Sequence, residues 1–206
     1  CNFKITKNLA AELNKLFLEV VIGNGFEKDA LKLLKKKKNL RLIDATNYSF
    51  KEILKFLSTN EEFLVQTEDF KNFSNKDFKV VSKKKPTSKQ MKNLIFAFNI
   101  CRYVKSNAIV LASNETTTGI GSGQPSRLDS CYIAIDKMKK FMLKNDDVVA
   151  ASDAFFPFID GIEKLVQSGI TAVIQPAGSI RDKEIINFAN ETDTILVFSK
   201  TRHFRH

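Results

Sequence analysis

Apolar residues along this chain follow two spacings, and their succession predicts an α/β protein. Leu9, Leu13, Leu16 and Phe17 recur at helical spacing, and residues 18–22 follow as a buried apolar strand. Gly23-Asn24-Gly25 ends that run. Residues 27–37 predict a helix with Ala30, Leu31, Leu33 and Leu34 inward, and residues 40–43 alternate as a strand. Strand, helix, strand in this order marks a parallel pair. Residues 48–57 then predict a helix, 62–67 a strand, 71–76 a polar loop and 78–82 another strand. Thr87 and Gln90 have capping-box spacing, in which each side chain satisfies a free amide of the other's backbone. The helix they open runs to about Val104, with Leu94, Ile95, Phe98 and Cys101 on one face.

The second half repeats the alternation. The β-branched stretch Asn107-Ala108-Ile109-Val110 leads to a loop with Gly119, Gly121 and Gly123, and the loop opens a helix over 126–143. Strands are predicted at 148–151, 171–174 and 194–198. Helices at 160–168, closed by Gly169 as a C′ glycine, and at 182–190 separate them. The two halves have similar element order without a residue-level repeat. The predicted class is α/β, layered α/β/α, as one unit or two similar lobes, 1–84 and 85–206.

Composition changes this picture little. Of the 206 residues, 43% are hydrophobic and 27% charged, as in ordinary globular domains. No apolar run approaches the roughly 18 residues of a helical membrane span, and no signal-peptide pattern opens the chain. The chain begins Cys1-Asn2-Phe3 without a Met, which suggests that upstream sequence has been removed. The net charge of +10 admits an anionic ligand. The lysines at 35–38, 83–85 and 137–144 also fit a plain solvated surface. Phe accounts for 18 residues and Trp for none, which favours a core over a base-stacking platform. Cys1, Cys101 and Cys131 form no CxxC, so neither zinc nor a disulfide framework is indicated, and a reducing cytoplasm fits.

Candidate chemistry gathers in four stretches. Alternate glycines allow close backbone approach and positive φ, and free amides at the following helix start favour an anion. Gln124 replaces the third glycine of a dinucleotide fingerprint, and no Gly-Lys-Ser/Thr follows as in a P-loop. A tight turn and a ligand loop both remain open. Asn107 fits either a strand-edge cap or a polar ligand contact. Arg127 stands in the first helical turn, where the dipole disfavours a cation, so a ligand or a carboxylate is the expected partner. Residues 151–161 place Phe155, Phe156 and Phe158 around Pro157, as a core plug or as a wall for a flat ring. Asp153 and Asp160 flank them, Asp160 as an expected N-cap. Pro176-Ala177-Gly178-Ser179 is a small-residue turn after a strand, where open α/β sheets form their crevice. Both histidines, His203 and His206, lie in the final stretch with Arg202 and Phe204, expected to be tied down rather than frayed.

Taken together, Lys105-Ser106-Asn107-Ala108-Ile109-Val110, the stretch Gly119 to Arg127, Ala151-Ser152-Asp153-Ala154-Phe155-Phe156-Pro157-Phe158, Gly169 to Pro176 and Arg202-His203-Phe204-Arg205-His206 resemble a known family. It is the bifunctional purine-biosynthesis family, phosphoribosylaminoimidazolecarboxamide (AICAR) formyltransferase and IMP cyclohydrolase, in the C-terminal part of its formyltransferase domain. The likeness runs over the whole chain. It implies a cytidine-deaminase-like, internally duplicated fold without the deaminase zinc. It also implies a cytoplasmic homodimer with shared sites, and no nucleic-acid or membrane partner. The implied reaction moves a formyl group from the cosubstrate 10-formyltetrahydrofolate to the 5-amino group of AICAR.

The same resemblance implies roles for single residues. Asn107 would sit at the reacting centre, with His206 near it. Glu19, Arg127, Phe155 and Arg202 would bind the nucleotide. Leu128, Asp160, Gly161, Ser179 and Ile180 would hold the folate. Asp153 would help hold a monovalent cation, K+, found in some members. The family's proton work belongs to a Lys-His pair. No Lys-His dipeptide occurs in this sequence, the implied place for the pair being upstream of Cys1 together with the cyclohydrolase domain, so the chain alone is expected to be inactive. A basic nucleotide- or RNA-binding module without catalysis is the alternative, and a stable non-catalytic fragment is a third.

Overall fold

The computed structural model describes residues 1–49, 54–71, 73–141 and 147–205. Two compact units emerge, Cys1–Glu68 and Asp69–His206. The division lies earlier than the expected lobe boundary after residue 84. The reason is that the short strand near residue 80 pairs into the sheet of the second unit.

In the first unit, helix α1 (Lys7–Asn14) is capped by Thr6, whose hydroxyl accepts the Leu9 amide at 3.3 Å. Strand β1 (Val20–Gly23), helix α2 (Lys28–Leu34) and strand β2 (Arg41–Asp44) form the expected parallel βαβ unit. Ile5, Ala10, Val21, Ala30 and Leu34 make its core. The helix expected over 48–57 is not seen in the described part of that span. Residues 50–53 lie outside the described residues, and Leu54–Ser58 is strand β3, paired antiparallel with β4 (Phe63–Thr67). Short apolar runs suit either periodicity. Here the closing turn decides, with the Thr59 amide donating to the Glu62 carbonyl at 2.8 Å.

In the second unit, a single 3-10 turn (Asn75–Asp77) leads into β5 (Phe78–Val80). Helix α3 (Ser88–Cys101) starts at the expected capping box, with both reciprocal bonds made. Strands β6 (Ile109–Ser113) and β7 (Thr116–Gly121) form a hairpin, followed by helix α4 (Arg127–Phe141). Then come β8 (Val149–Ser152), α5 (Ile159–Gln167), β9 (Ala172–Pro176), α6 (Asp182–Glu191) and β10 (Ile195–Ser199). The six-stranded sheet has the order β5-β10-β9-β8-β6-β7. β8, β9 and β10 are parallel, while β5, β6 and β7 pair antiparallel with their neighbours.

Period-two alternation sorts the strands onto two faces. Ile109, Leu111, Ala150, Val173 and Leu196 pack with α4, α5 and α6. Val110, Ala112, Ala151, Ile174 and Val197 pack with Leu94, Phe98 and Cys101 of α3. A buried strand with apolar residues on both sides needs cover on both, and the result is the predicted α/β/α layering.

The glycines are a correction to the sequence reading. The apolar run does not end in a glycine loop. It continues to Ser113, turns through Asn114 and Glu115 at φ 50° and 51°, and returns as β7. Gly119 and Gly121 therefore lie in a strand beneath α4. A Cβ on Gly121 would collide with the Ser130 carbonyl, and one on Gly119 with the Ala134 carbonyl. They serve close helix-on-strand packing rather than an anion. Gly123 alone keeps the turn conformation, with φ 67°.

Candidate active site

At the carboxyl ends of β8 and β10, the chain leaves the sheet and encloses a cavity of about 480 Å³. Asn107, Arg127, Leu128, Phe155, Asp160 and Arg202 line it together. These six expected site residues come from four separate segments, and the layout of the sheet brings them to one edge.

Arg127 opens α4 with its guanidinium nearly sequestered, its side chain 9% exposed. A cation at a helix N-terminus opposes the dipole, and Asp153, 1% exposed, compensates it. Arg127 Nη1 is ion-paired with Asp153 Oδ1 and also donates to Ser152 Oγ at 2.9 Å. Its Nη2 donates to Asn107 Oδ1 at 2.9 Å. The second Asp153 oxygen accepts from the Ser106 hydroxyl at 2.5 Å.

This arrangement fixes the polarity of Asn107. A guanidinium only donates, so Oδ1 must face Arg127. The Nδ2 hydrogens go to the Gln124 and Pro125 carbonyls at 2.9 and 3.2 Å. Ser130 Oγ holds the Asn107 carbonyl at 2.8 Å, and the Ser106–Asn107 peptide is cis. Both amide hydrogens are spent, and Oδ1 keeps one lone pair. Toward the cavity, Asn107 is an acceptor.

Phe155, Phe158 and Pro157 line the cavity, while Phe156 is 1% exposed and packs mostly into the core. The core-plug reading holds for Phe156, whereas Phe155 and Phe158 line the cavity rather than pack into the core. Gly161 is buried under Phe156, where a Cβ would come within 2.7 Å of the ring. Asp160 is not the N-cap. Phe158 holds that position without a side-chain bond, and Asp160 Oδ1 takes the Gly161 amide at 2.7 Å. Arg202 is exposed, stacked over the Phe204 ring at 4.4 Å. Among the described residues it has no carboxylate partner.

The other expected residues stand elsewhere. Ser179 and Ile180 lie in the turn before α6, where Asp182 takes the Gly178 and Ser179 amides, and the Ile180 side chain is fully exposed. Glu19 belongs to the first unit and is exposed there. His206 lies outside the described residues. Residues that the sequence reading did not single out include Ser106, Ser130 and Ser152, which brace Asn107, Arg127 and Asp153. Their signal was weak, because serine beside a strand end is common. Cys101 and Cys131 are free and buried. Burial raises both thiols, Cys131 to about 12, and Asp153 adds to the effect at Cys101.

A three-layer α/β unit whose cavity lies at its strand ends, lined by phenylalanines, a clamped asparagine and an arginine without a carboxylate partner among the described residues, has the crevice of an open α/β sheet. Comparison with known proteins narrows this description. The family model "AICARFT/IMPCHase bienzyme" matches residues 1–137, and the chain belongs to this family. It is 41% identical over 206 residues to a protein of Chlorobium phaeobacteroides (strain BS1) named bifunctional purine biosynthesis protein PurH, covering 100% of this chain and 39% of the relative. Relatives of the same name are 43% identical in Aquifex aeolicus (strain VF5) and 45% in Caldicellulosiruptor saccharolyticus, again with 100% of this chain and 40% and 39% of theirs. The chain thus spans about two fifths of the length of these curated relatives.

Proposed function

We propose that this chain forms part of an AICAR formyltransferase site that takes a formyl group from 10-formyltetrahydrofolate in de novo purine biosynthesis. The supporting observation is the cavity that Asn107, Arg127, Phe155, Arg202, Leu128 and Asp160 share, because the family resemblance gives roles to these same six. Arg202, without a carboxylate partner among the described residues, offers its guanidinium to the nucleotide's phosphate. Phe155 offers a face for the imidazole. Leu128 and Asp160 are assigned to the folate. Gly161, Ser179 and Ile180, outside the lining of this cavity, keep a folate role only in this proposal, as Glu19 keeps one toward AICAR. His206 keeps one at the reacting centre.

The 5-amino group is a weak nucleophile because its lone pair is delocalised into the imidazole carboxamide. Its nitrogen attacks the formyl carbon, the bond to the folate nitrogen breaks, one proton leaves the amine and one goes to the folate nitrogen. The free lone pair of Asn107 Oδ1 accepts an N–H of the amine and so aims the nitrogen's own lone pair at the carbon. Proton transfer itself needs a Lys-His pair, a dipeptide this sequence does not contain. A monovalent cation fits the donor chemistry at Asp153 and Ser106, whose carboxylate and hydroxyl are oxygen donors beside Asn107. Bound there, it would supply fixed positive charge. A homodimer with sites shared between copies belongs to the same reading, as does the family's cyclohydrolase activity in the complete protein.

Calorimetric titration of AICAR tests the reading. The chain binds the nucleotide, and Arg202→Ala weakens binding about 10–100-fold, the loss of one charge-assisted contact. Unchanged affinity in that variant refutes the assignment. Formyl transfer by these 206 residues alone is expected to be absent, and measured turnover would contradict the missing pair. RNA binding with a steep salt slope and no nucleotide binding would favour a basic RNA-binding module instead.

A further inference from the structure

Arg202 and Phe204 line the cavity, and the residue between them faces the opposite way. His203 is 1% exposed. Its ring lies against Phe73 and Phe98, with centroids 5.3 and 4.4 Å away. Nδ1 is bonded to the Asp69 carboxylate, while Nε2 is buried with no hydrogen-bond partner among the described residues. A carboxylate only accepts, so Nδ1 carries the hydrogen. A leucine would fill the same apolar box without burying an unpaired nitrogen. What the imidazole adds is a directional bond to Asp69.

We infer that Asp69 and His203 form an anchor that sets the register of residues 201–205 and thereby positions Arg202 for a phosphate-bearing ligand. The phosphate part of this statement rests on the function proposed above. A slip of one residue would turn Arg202 into the phenylalanine box and His203 into the cavity, so the register decides whether the site has its cation. Asp69 is itself held in place. In its segment, the Lys71 carbonyl accepts from Arg102 Nη1 at 2.9 Å, and the Phe73 amide donates to Asn99 Oδ1 at 3.4 Å. The anchored segment is then stitched to the catalytic edge. The His203 amide donates to the Asp153 carbonyl at 2.9 Å, and the Ser106 amide donates to the Arg205 carbonyl at 2.8 Å. His203 is therefore a positioning residue. It touches no reacting atom and acts through Arg202 and the Ser106–Asp153 edge.

The test compares His203→Leu, which keeps the packing, with His203→Asn, whose Nδ2 can replace the Nδ1 hydrogen. Amide hydrogen exchange is read at Ser106 and at position 203, and AICAR is titrated into each full chain. Leu is expected to speed exchange at both amides about tenfold or more, and Asn to hold it near the unaltered rate. AICAR affinity is expected to fall about tenfold in Leu and to be retained in Asn. A purely structural role predicts the reverse order, with Leu tolerated and Asn not, and that order overturns the anchor. Asp69→Ala, which leaves the phenylalanine box intact, is expected to behave as Leu does, and normal protection in that variant also overturns it. If the exchange contrast holds while the unaltered chain binds no AICAR, the anchor is upheld and the nucleotide reading fails.

Discussion

Asp153→Asn removes one charge from the centre of the site and almost nothing else. The side chain is 1% exposed, and its partner Arg127 is 9% exposed at the side chain. Asparagine keeps the shape and can still accept from Arg127 through Oδ1 and donate to Ser106 through Nδ2. The guanidinium is left without its counter-charge, at a helix N-terminus that already disfavours a cation. Breaking a buried ion pair by removing one partner costs about 3–5 kcal/mol. The retained hydrogen bonds put this variant near the lower end, about 3 kcal/mol. For a chain of this length, that lowers Tm by about 6–12 °C. Thermal melts followed by far-ultraviolet circular dichroism, together with urea titration, read the loss directly. Arg127→Met in the same background supplies the control. With both charges gone no uncompensated ion remains buried, so the double variant is expected to lose less than the sum of the single losses. A loss below about 1 kcal/mol for Asp153→Asn, the range of an exposed pair, would refute a buried Arg127–Asp153 pair as the support of Asn107.

Further outcomes follow from the packing. Gly121→Ala pushes a methyl into the Ser130 carbonyl, and since a helix backbone cannot rotate away, a cost of about 1–3 kcal/mol or more is expected by urea unfolding. A change within about 0.5 kcal/mol would mean that α4 does not rest on β7 this closely. Thiol titration at pH 8 distinguishes the cysteines. Cys1 is exposed and reacts. Cys131, raised to about 12, holds about one thiolate in ten thousand and, like Cys101, is expected to react only after denaturation. Rapid labelling of either in the folded chain would contradict their burial.

Much of the fold was legible locally because it rests on local patterns. The Thr87–Gln90 box acts over four residues, and both of its bonds are made. The short apolar runs at 171–174 and 194–198 put strands where β9 and β10 lie. Two readings failed for one common reason. Leu54–Ser58 is a strand because Phe63–Thr67 pairs with it, and the β6–β7 hairpin exists because Asn114 and Glu115 adopt positive φ without the Asn-Gly sequence that usually announces such a turn. Strand pairing is a contact between segments, and neither segment states it alone.

The site divides in the same way. Chain composition and order alone determined which groups are available: an asparagine before a strand, an arginine at a helix start, a cluster of phenylalanines, an arginine and histidine after the last strand. They also determined the α/β class, because the spacing of apolar residues is a property of the chain. Only the tertiary structure decided which of these groups meet. It set Asp153 against Arg127, turned Asn107 into an acceptor, moved two glycines from an undecided turn or ligand loop to a helix-strand contact, and placed Arg202 in the cavity with His203 beneath it. The physical reason is that charge compensation, hydrogen-bond polarity and steric exclusion act across distances that the sheet closes and the sequence leaves open.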